Sequence, residues 1–350
     1  MKFELDEQQY ALRDAVGRYL SDHCSGAVLR TFWGEDSSHP DGRSLALWHG
    51  LSALGLFGLT VPEAHGGAGL GLSDAVLAIE ELGRHAVPHP AAETLGIVAP
   101  LLARHADAAM QAHWLPRLAT GAVMASVQDG WDGQAGWGAE AQLVLVALDD
   151  GVALCVPDGQ IHTLPAAQDR ARRPARLTIA TQIGRIEGQA VAQEMRLRAR
   201  TVYAQVLLGL AAAALARGVE YAKVREQFGR PVGSFQAVKH MLANAHVAVE
   251  TARRTVWQAA WCIDHHSAGT TATAEAAAVA KGSAAEAALE ASYAGMQVHG
   301  AMGYTWDNDL QFWLKRIHAL EPLFGGARSA WRELSQLYFS DDPDHRNSAT

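Results

Sequence analysis

Arg225, Gln227 and Phe228 stand together in the segment Arg225-Glu-Gln-Phe-Gly-Arg-Pro-Val-Gly-Ser-Phe-Gln236. Gln297, Gly300 and Gly303 stand together in Gln297-Val-His-Gly-Ala-Met-Gly-Tyr304. These residue types suit a phosphorylated, ring-bearing ligand. An arginine can grip a pyrophosphate with two parallel N–H bonds. Phe228 offers an apolar face to a ring, and the Gln227 amide can donate or accept. Gly300 and Gly303 allow close backbone approach and positive φ. The same letters also read as punctuation, with Gly229, Pro231 and Gly233 marking a plain turn between two helices.

Helices must position both segments. Apolar spacing predicts helices over 194–228, 234–267, 270–298, 307–319 and 326–338, the first two longer than is usual in globular proteins, which suggests a bundle. The N-terminal third also reads helical: Phe3, Leu5, Tyr10, Leu12, Val16 and Tyr19 recur at helical spacing, and further helices fall at 45–54, 75–83, 91–105 and 108–118. A glycine-rich stretch from Gly55 to Leu72 is a structured loop, with Ser73 as the expected N-cap and Asp74 in the first turn of the next helix. Between the helical parts, 123–128, 142–147, 152–156 and 175–180 read as short strands, with turns at Asp149-Asp-Gly151 and Pro157-Asp-Gly159. The expected organisation is mainly α: an N-terminal helical domain over 1–120, a small β domain over 121–190 and a C-terminal four-helix bundle domain over 191–350, with a polar tail after Ser340.

Composition narrows the class. The chain has 350 residues, 49% apolar and 19% charged, enough for a large core with further buried or subunit-facing surface. A net charge of −8 does not suggest a nucleic-acid partner. Cys24, Cys155 and Cys262 lie far apart, outside any Cys-x-x-Cys pair, which fits a reducing cytoplasm and argues against a disulfide framework or zinc site. Asp264-His-His266 could hold a metal, but adjacent histidines point to different helix faces. No apolar run is expected to reach membrane-spanning length uninterrupted, since Arg200 and Arg217 bound the apolar stretch between them.

Taken together, Arg225-x-Gln-Phe-Gly and Gln297-x-x-Gly resemble the acyl-CoA dehydrogenase family. So does the N-terminal block from Gly55 to Leu72 with Glu80-Glu-Leu-Gly83. The resemblance spans nearly the whole chain and is poorest in the middle. It implies FAD as cofactor, its ADP half gripped by Arg225, Gln227, Phe228, Gln236, Gln297, Gly300 and Gly303. In the family, these segments largely serve the FAD seated in the neighbouring subunit. It further implies Arg200 and Phe324 at the acyl-CoA channel.

The segments that the family uses around the flavin ring have no counterpart here; the corresponding place holds Ala125-Ser-Val-Gln-Asp-Gly-Trp-Asp-Gly133, and Trp131 and Trp137 either pack on a flavin or cap the small β domain. The catalytic base is also missing. Abstraction of an α-proton suits a carboxylate whose pKa burial raises, but Phe324 stands at the family's glutamate position and Ala199 at its alternative. Glu321, one turn before Phe324 if helical, is the candidate substitute, and Glu194 the other. A helix-end carboxylate near Arg316 and a helix N-terminal carboxylate are the competing readings of these two. Arg196, Arg198 and Arg200 form a basic turn expected to face an anion such as the CoA phosphates.

What is kept and what is lost resembles the reduced subunit of heteromeric acyl-CoA dehydrogenases that act on bulky acyl-CoAs such as steroid side-chain thioesters. The implied function is FAD-dependent α,β-dehydrogenation of an acyl-CoA, with this chain completing a shared FAD site in a homo- or hetero-oligomer beside a fuller homologue. A non-catalytic structural subunit and a flavin-dependent monooxygenase on the same fold are the alternatives.

Overall fold

The computed structural model describes residues 5–32, 42–158, 161, 163–164, 168–267 and 269–339. Phe3, Gly159 and the tail after Ser340 lie outside the described residues.

The N-terminal helices are α1 (Glu7–His23), α2 (Gly26–Thr31), α3 (Gly42–Ala53), α4 (Leu72–Arg84), α5 (Ala91–Glu93), α6 (Ala99–His105) and α7 (Ala108–Ala119). A π turn over Thr94–Val98 joins α5 to α6, so the expected helix over 91–105 forms with one wide turn. Asp6 starts α1 by a reciprocal cap, accepting from Gln9 N at 2.9 Å while Gln9 Oε1 accepts from Asp6 N at 2.8 Å. The expectation for Ser73 needs correcting. The N-cap of α4 is Gly71, and the orphan N–H groups of Leu72 and Ser73 donate to Asp264 at 2.9 and 2.8 Å, as does the Ser73 hydroxyl at 2.6 Å. A carboxylate from a distant helix displaces the local cap, because it satisfies two donors at once and adds charge at the positive helix end. That use also removes Asp264 from any metal reading.

The middle segment is a four-stranded sheet: β1 (Ala125–Asp129), β2 (Leu143–Ala147), β3 (Gly151–Cys155) and β4 (Gln182–Glu187), in that spatial order. β1 pairs parallel to β2, and the other two pairings are antiparallel. Alternate residues of β2 and β3 face two cores: Leu143, Leu145, Val152 and Leu154 join the main core, and Val144, Val146, Ala153 and Cys155 a smaller outer one. The expected strand at 175–180 is absent. Ala175 makes only a single bridge to Ala135, and the fourth strand begins at Gln182. That strand is half exposed and carries Gly184 and Arg185, which hides its alternation in the sequence.

The C-terminal part comprises α8 (Gln189–Val224), α9 (Gln236–His265), α10 (Thr271–His299), α11 (Leu310–Leu320) and α12 (Ala327–Phe339). α8, α9, α10 and α11 form the bundle and α12 lies against α10. Glycine allows two close crossings. A Cβ on Gly209 would come within 2.0 Å of Glu80 O on α4, and one on Gly218 within 2.9 Å of Gly295 Cα on α10. Glu80 locks the first crossing: its carboxylate accepts from Arg253 Nη2 at 2.9 Å and Nε at 3.2 Å, and from Gln205 at 3.1 Å. One expectation about α8 is revised. By length and composition it could cross a membrane, but 78% of its apolar window is buried inside the protein, as a bundle's central helix requires.

Candidate functional site

α8 ends at Val224, and Arg225 leaves it in extended conformation. The next residues form a minimal hairpin, β5 (Glu226–Gln227) against β6 (Arg230–Pro231), closed by Arg225 O accepting from Val232 N at 2.7 Å. Its two turn residues are Phe228 at φ 55° and Gly229 at φ 78°. Positive φ at both positions is what a tight hairpin of this twist needs. Glycine takes it freely, whereas phenylalanine is strained there. The strain holds an aromatic ring in the open: Phe228 is 93% exposed. Phe235 meets it edge-on at 6.1 Å, and the Arg230 guanidinium lies 4.2 Å from the Phe235 ring centroid.

α10 ends beside it. Tyr221, one turn before Arg225, stacks on His299 at 4.2 Å between centroids, and the Gly218–Gly295 approach holds the two helices close just below. Gly300 caps α10 with φ 59° and ψ −140°, and the chain turns through a 3-10 segment over Gly300–Tyr304. Space beyond the Cα is open at both Gly229 and Gly300. Arg225, Gln227, Phe228, Gln236, Gln297 and Gly300 are all exposed, and among the described residues Arg225 enters no ion pair. Tyr304 at 75% and Trp306 at 58% exposure extend the same end. Gly303 is different: it is buried, and a Cβ there would come within 3.1 Å of His299 Cβ, so its place is in the packing of the turn.

The other sequence candidates sit inside the molecule. Phe324 is 6% exposed and stacks on Tyr203 at 5.8 Å. Arg200 Nε donates to Phe324 O at 2.9 Å, and Nη1 pairs with Glu333 at 2.7 Å. Glu321 follows the last residue of α11, and its Oε1 accepts from Ala327 N at 2.9 Å, capping α12. Lys281, fully buried, donates to the carbonyls of Leu320 at 3.2 Å and Glu321 at 2.6 Å, closing the end of α11. Arg316 pairs with Asp169 rather than with Glu321.

Glu194 lies between Arg104 at 3.1 Å, His105 at 2.8 Å and Arg198 at 2.8 Å. Burial pushes its carboxyl up, but Arg198, His105 and Arg104 outweigh it and hold the pKa below the usual range. A carboxylate so held is a poor proton acceptor at neutral pH. The expected anion for the basic turn is corrected here. Arg196 pairs with Asp129, Arg198 with Glu194 and Arg200 with Glu333, so their anions come from this chain. The helix starts at Gln189, which moves these arginines out of its first turn and frees them to reach side chains on neighbouring elements.

Of the groups that fill the interior beside Phe324, sequence reasoning named only Trp137, which here packs in the main core rather than capping the β domain. Tyr203 donates to Glu93 at 3.1 Å, Trp137 donates to Ala171 O at 3.1 Å and to Pro88 O, and Arg172 and His89 are buried next to them. No spacing connects these residues; only the fold does. Trp131, by contrast, packs on the outer core of the sheet.

Family models for the acyl-CoA dehydrogenase N-terminal and C-terminal domains match residues 6–122 and 187–334. Acyl-CoA dehydrogenase IpdE2 of Mycobacterium tuberculosis is 32% identical over 94% of this chain and 96% of its own length. This chain belongs to the acyl-CoA dehydrogenase family. Among solved structures, the ChsE4-ChsE5 complex from Mycobacterium tuberculosis superposes with a TM-score of 0.82 at 25% identity, covering 96% of this chain and 98% of that one. The Tcur3481-Tcur3483 steroid ACAD gives 0.80 at 28% identity, over 98% and 99%. Within the family fold, the hairpin at 226–231 and the end of α10 present exposed polar and aromatic groups together.

Proposed function

We propose that this chain serves FAD-dependent α,β-dehydrogenation of an acyl-CoA as a subunit that completes an FAD site seated mainly in a neighbouring subunit. One observation carries the reading. The residues suited to the ADP half of FAD are exposed together at one end of the bundle, while the position of the family's base is a buried phenylalanine and nearby Glu321 is spent on a helix cap.

The exposed residues fit the cofactor. Arg225 has a guanidinium that meets no carboxylate among the described residues and so suits the pyrophosphate, Phe228 an open ring face, Gln227, Gln236 and Gln297 amides, and Gly229 and Gly300 leave room for close approach. A surface this open sheds water from a ligand only when a second subunit covers it. When bound, FAD supplies the hydride acceptor. This chain binds and orients its ADP half, and the partner supplies the carboxylate that takes the α-proton. Similarity to a protein described as a steroid ACAD supports a bulky acyl group and a heteromeric assembly.

The test is co-expression with a fuller family member. Alone, the chain should hold far less than one FAD per subunit, and with the partner FAD should be retained. A yellow, active homo-oligomer with one FAD per chain would overturn the reading. FAD retained only with the partner, with no contribution to turnover by any carboxylate of this chain, would leave it a cofactor-holding subunit.

A further inference from the structure

Tyr203, on which Phe324 stacks, also walls a cavity of ≈ 30 Å³. That is room for about two waters, at about 10–15 Å³ each. Around it stand His89, Glu93, Trp137, Arg172 and Arg316. The cavity is rich in donors and short of acceptors.

Arg172 is 6% exposed, and its Nε and Nη2 are buried without a hydrogen-bond partner among the described residues. These two nitrogens form one edge of the guanidinium, the edge whose parallel N–H groups match the two oxygens of a carboxylate. Gly136 keeps that edge clear, since a Cβ there would come within 3.1 Å of Nε. A guanidinium does not deprotonate to escape burial, so its charge needs a counterpart.

Glu93, on the same wall, is the nearest carboxylate, and Arg172 is the leading charge that opposes the upward push of burial on it. Arg316 is engaged by Asp169 and by Val87 O at 2.7 Å. Glu93 accepts from Tyr203 and makes no hydrogen bond to Nε or Nη2 of Arg172. His89, 6% exposed, has both ring nitrogens unpartnered. Burial, with Arg316 adding, pushes its pKa down to about 3, so its ring is neutral and brings one further N–H. Glu93 offsets charge without bonding to this edge, so its parallel N–H pair lacks an acceptor of matching shape.

We propose that this cavity is a binding site for a small carboxylate of formate size, held side-on by the Nε and Nη2 of Arg172 and by a ring N–H of His89. The site stands whether or not the chain completes a partner's flavin site.

The probe is sodium formate, titrated against the melting temperature of the full chain, in its native assembly if it purifies as one, at constant ionic strength set with sulfate. A site-bound ligand raises the melting temperature along a saturating curve, whereas a general salt effect does not saturate. Wild type should show the saturating rise, and Arg172→Met should lose it. Glu93→Gln, which removes a carboxylate from the cavity wall, should tighten formate by about tenfold. If Arg172→Met does not fold, a wild-type crystal grown in formate decides the matter: planar density spanning Arg172 Nε and Nη2 supports the site, and a lone water there overturns it. The same non-saturating response in wild type and variants would also overturn it.

Discussion

Tyr221 and His299 stack with centroids 4.2 Å apart and planes 22° from parallel, and this pair joins two segments that the sequence keeps far apart. Tyr221 leads into Arg225 and His299 into Gly300, so the stack fixes the spacing of the two halves of the exposed face. An aromatic pair of this kind contributes about 0.5–1.5 kcal/mol beyond its area. Tyr221→Ala should lower the melting temperature by only a few degrees, roughly 2–4 °C per kcal/mol for a large domain. It should loosen FAD in the assembled enzyme by more than that small loss suggests, because both gripping segments move. Flavin absorbance after gel filtration reads the effect.

Arg225→Ala separates binding from folding. The side chain is exposed and makes no ion pair among the described residues, so a thermal melt should be unchanged. Loss of a charge-assisted contact to pyrophosphate at about 1.5–3 kcal/mol should weaken FAD retention by roughly 10- to 100-fold. A lowered melting temperature with full flavin content would make Arg225 structural.

Glu321→Gln should reduce turnover of the assembled enzyme less than tenfold. The glutamine amide oxygen can still accept from Ala327 N, so the cap of α12 survives, and no proton acceptor is lost where Phe324 already fills the position. A general base would show a loss of about 10²–10⁴.

Glu80→Ala should be severe. It takes from Arg253, inside the α4–α8–α9 junction, its bidentate partner, leaving only the more exposed Glu250, and takes from Gln205 its acceptor. Breaking such a buried pair costs about 3–5 kcal/mol, visible as a large fall in the denaturant midpoint with little change in slope.

Lys281 predicts a pH effect. Burial pushes its pKa down to about 7, with Glu321 opposing and Arg200 adding to the fall. In the unfolded chain a lysine titrates near about 10.4. Between these values the unfolded state holds the extra proton, so this group's contribution to stability rises with pH, and below about pH 7 it is flat with the full burial cost present. The melting temperature of wild type minus that of Lys281→Met should therefore climb from about pH 7 to 10. A constant difference would show that the amine keeps its ordinary pKa and stays charged in the protein across this range.

The three-part layout and the long helices were legible because periodicity and glycine placement are local signals. Arg225 to Gln236 could be read as a unit since its chemistry depends on neighbours in sequence. What stayed hidden depends on partners far along the chain. Asp264 caps α4 across the bundle, Asp169 meets Arg316, and Glu93 meets Tyr203, pairings that no spacing rule encodes. The arginines of α8 looked like an anion site for the same reason: their carboxylates lie on other elements. Glu321 looked like a base only while its bond to Ala327 was out of view.

From Tyr203 to Val224, α8 rises about 32 Å at 1.5 Å per residue. The helix thus works as a spacer between two neighbourhoods with no shared contacts, and substitutions so far apart combine independently. Its filled end can change residue by residue without disturbing the open end, where we propose that a shared cofactor is held. On the proposed reading, dependence on a partner arises by gradual drift, since each step that closes the interior leaves the open end as it was.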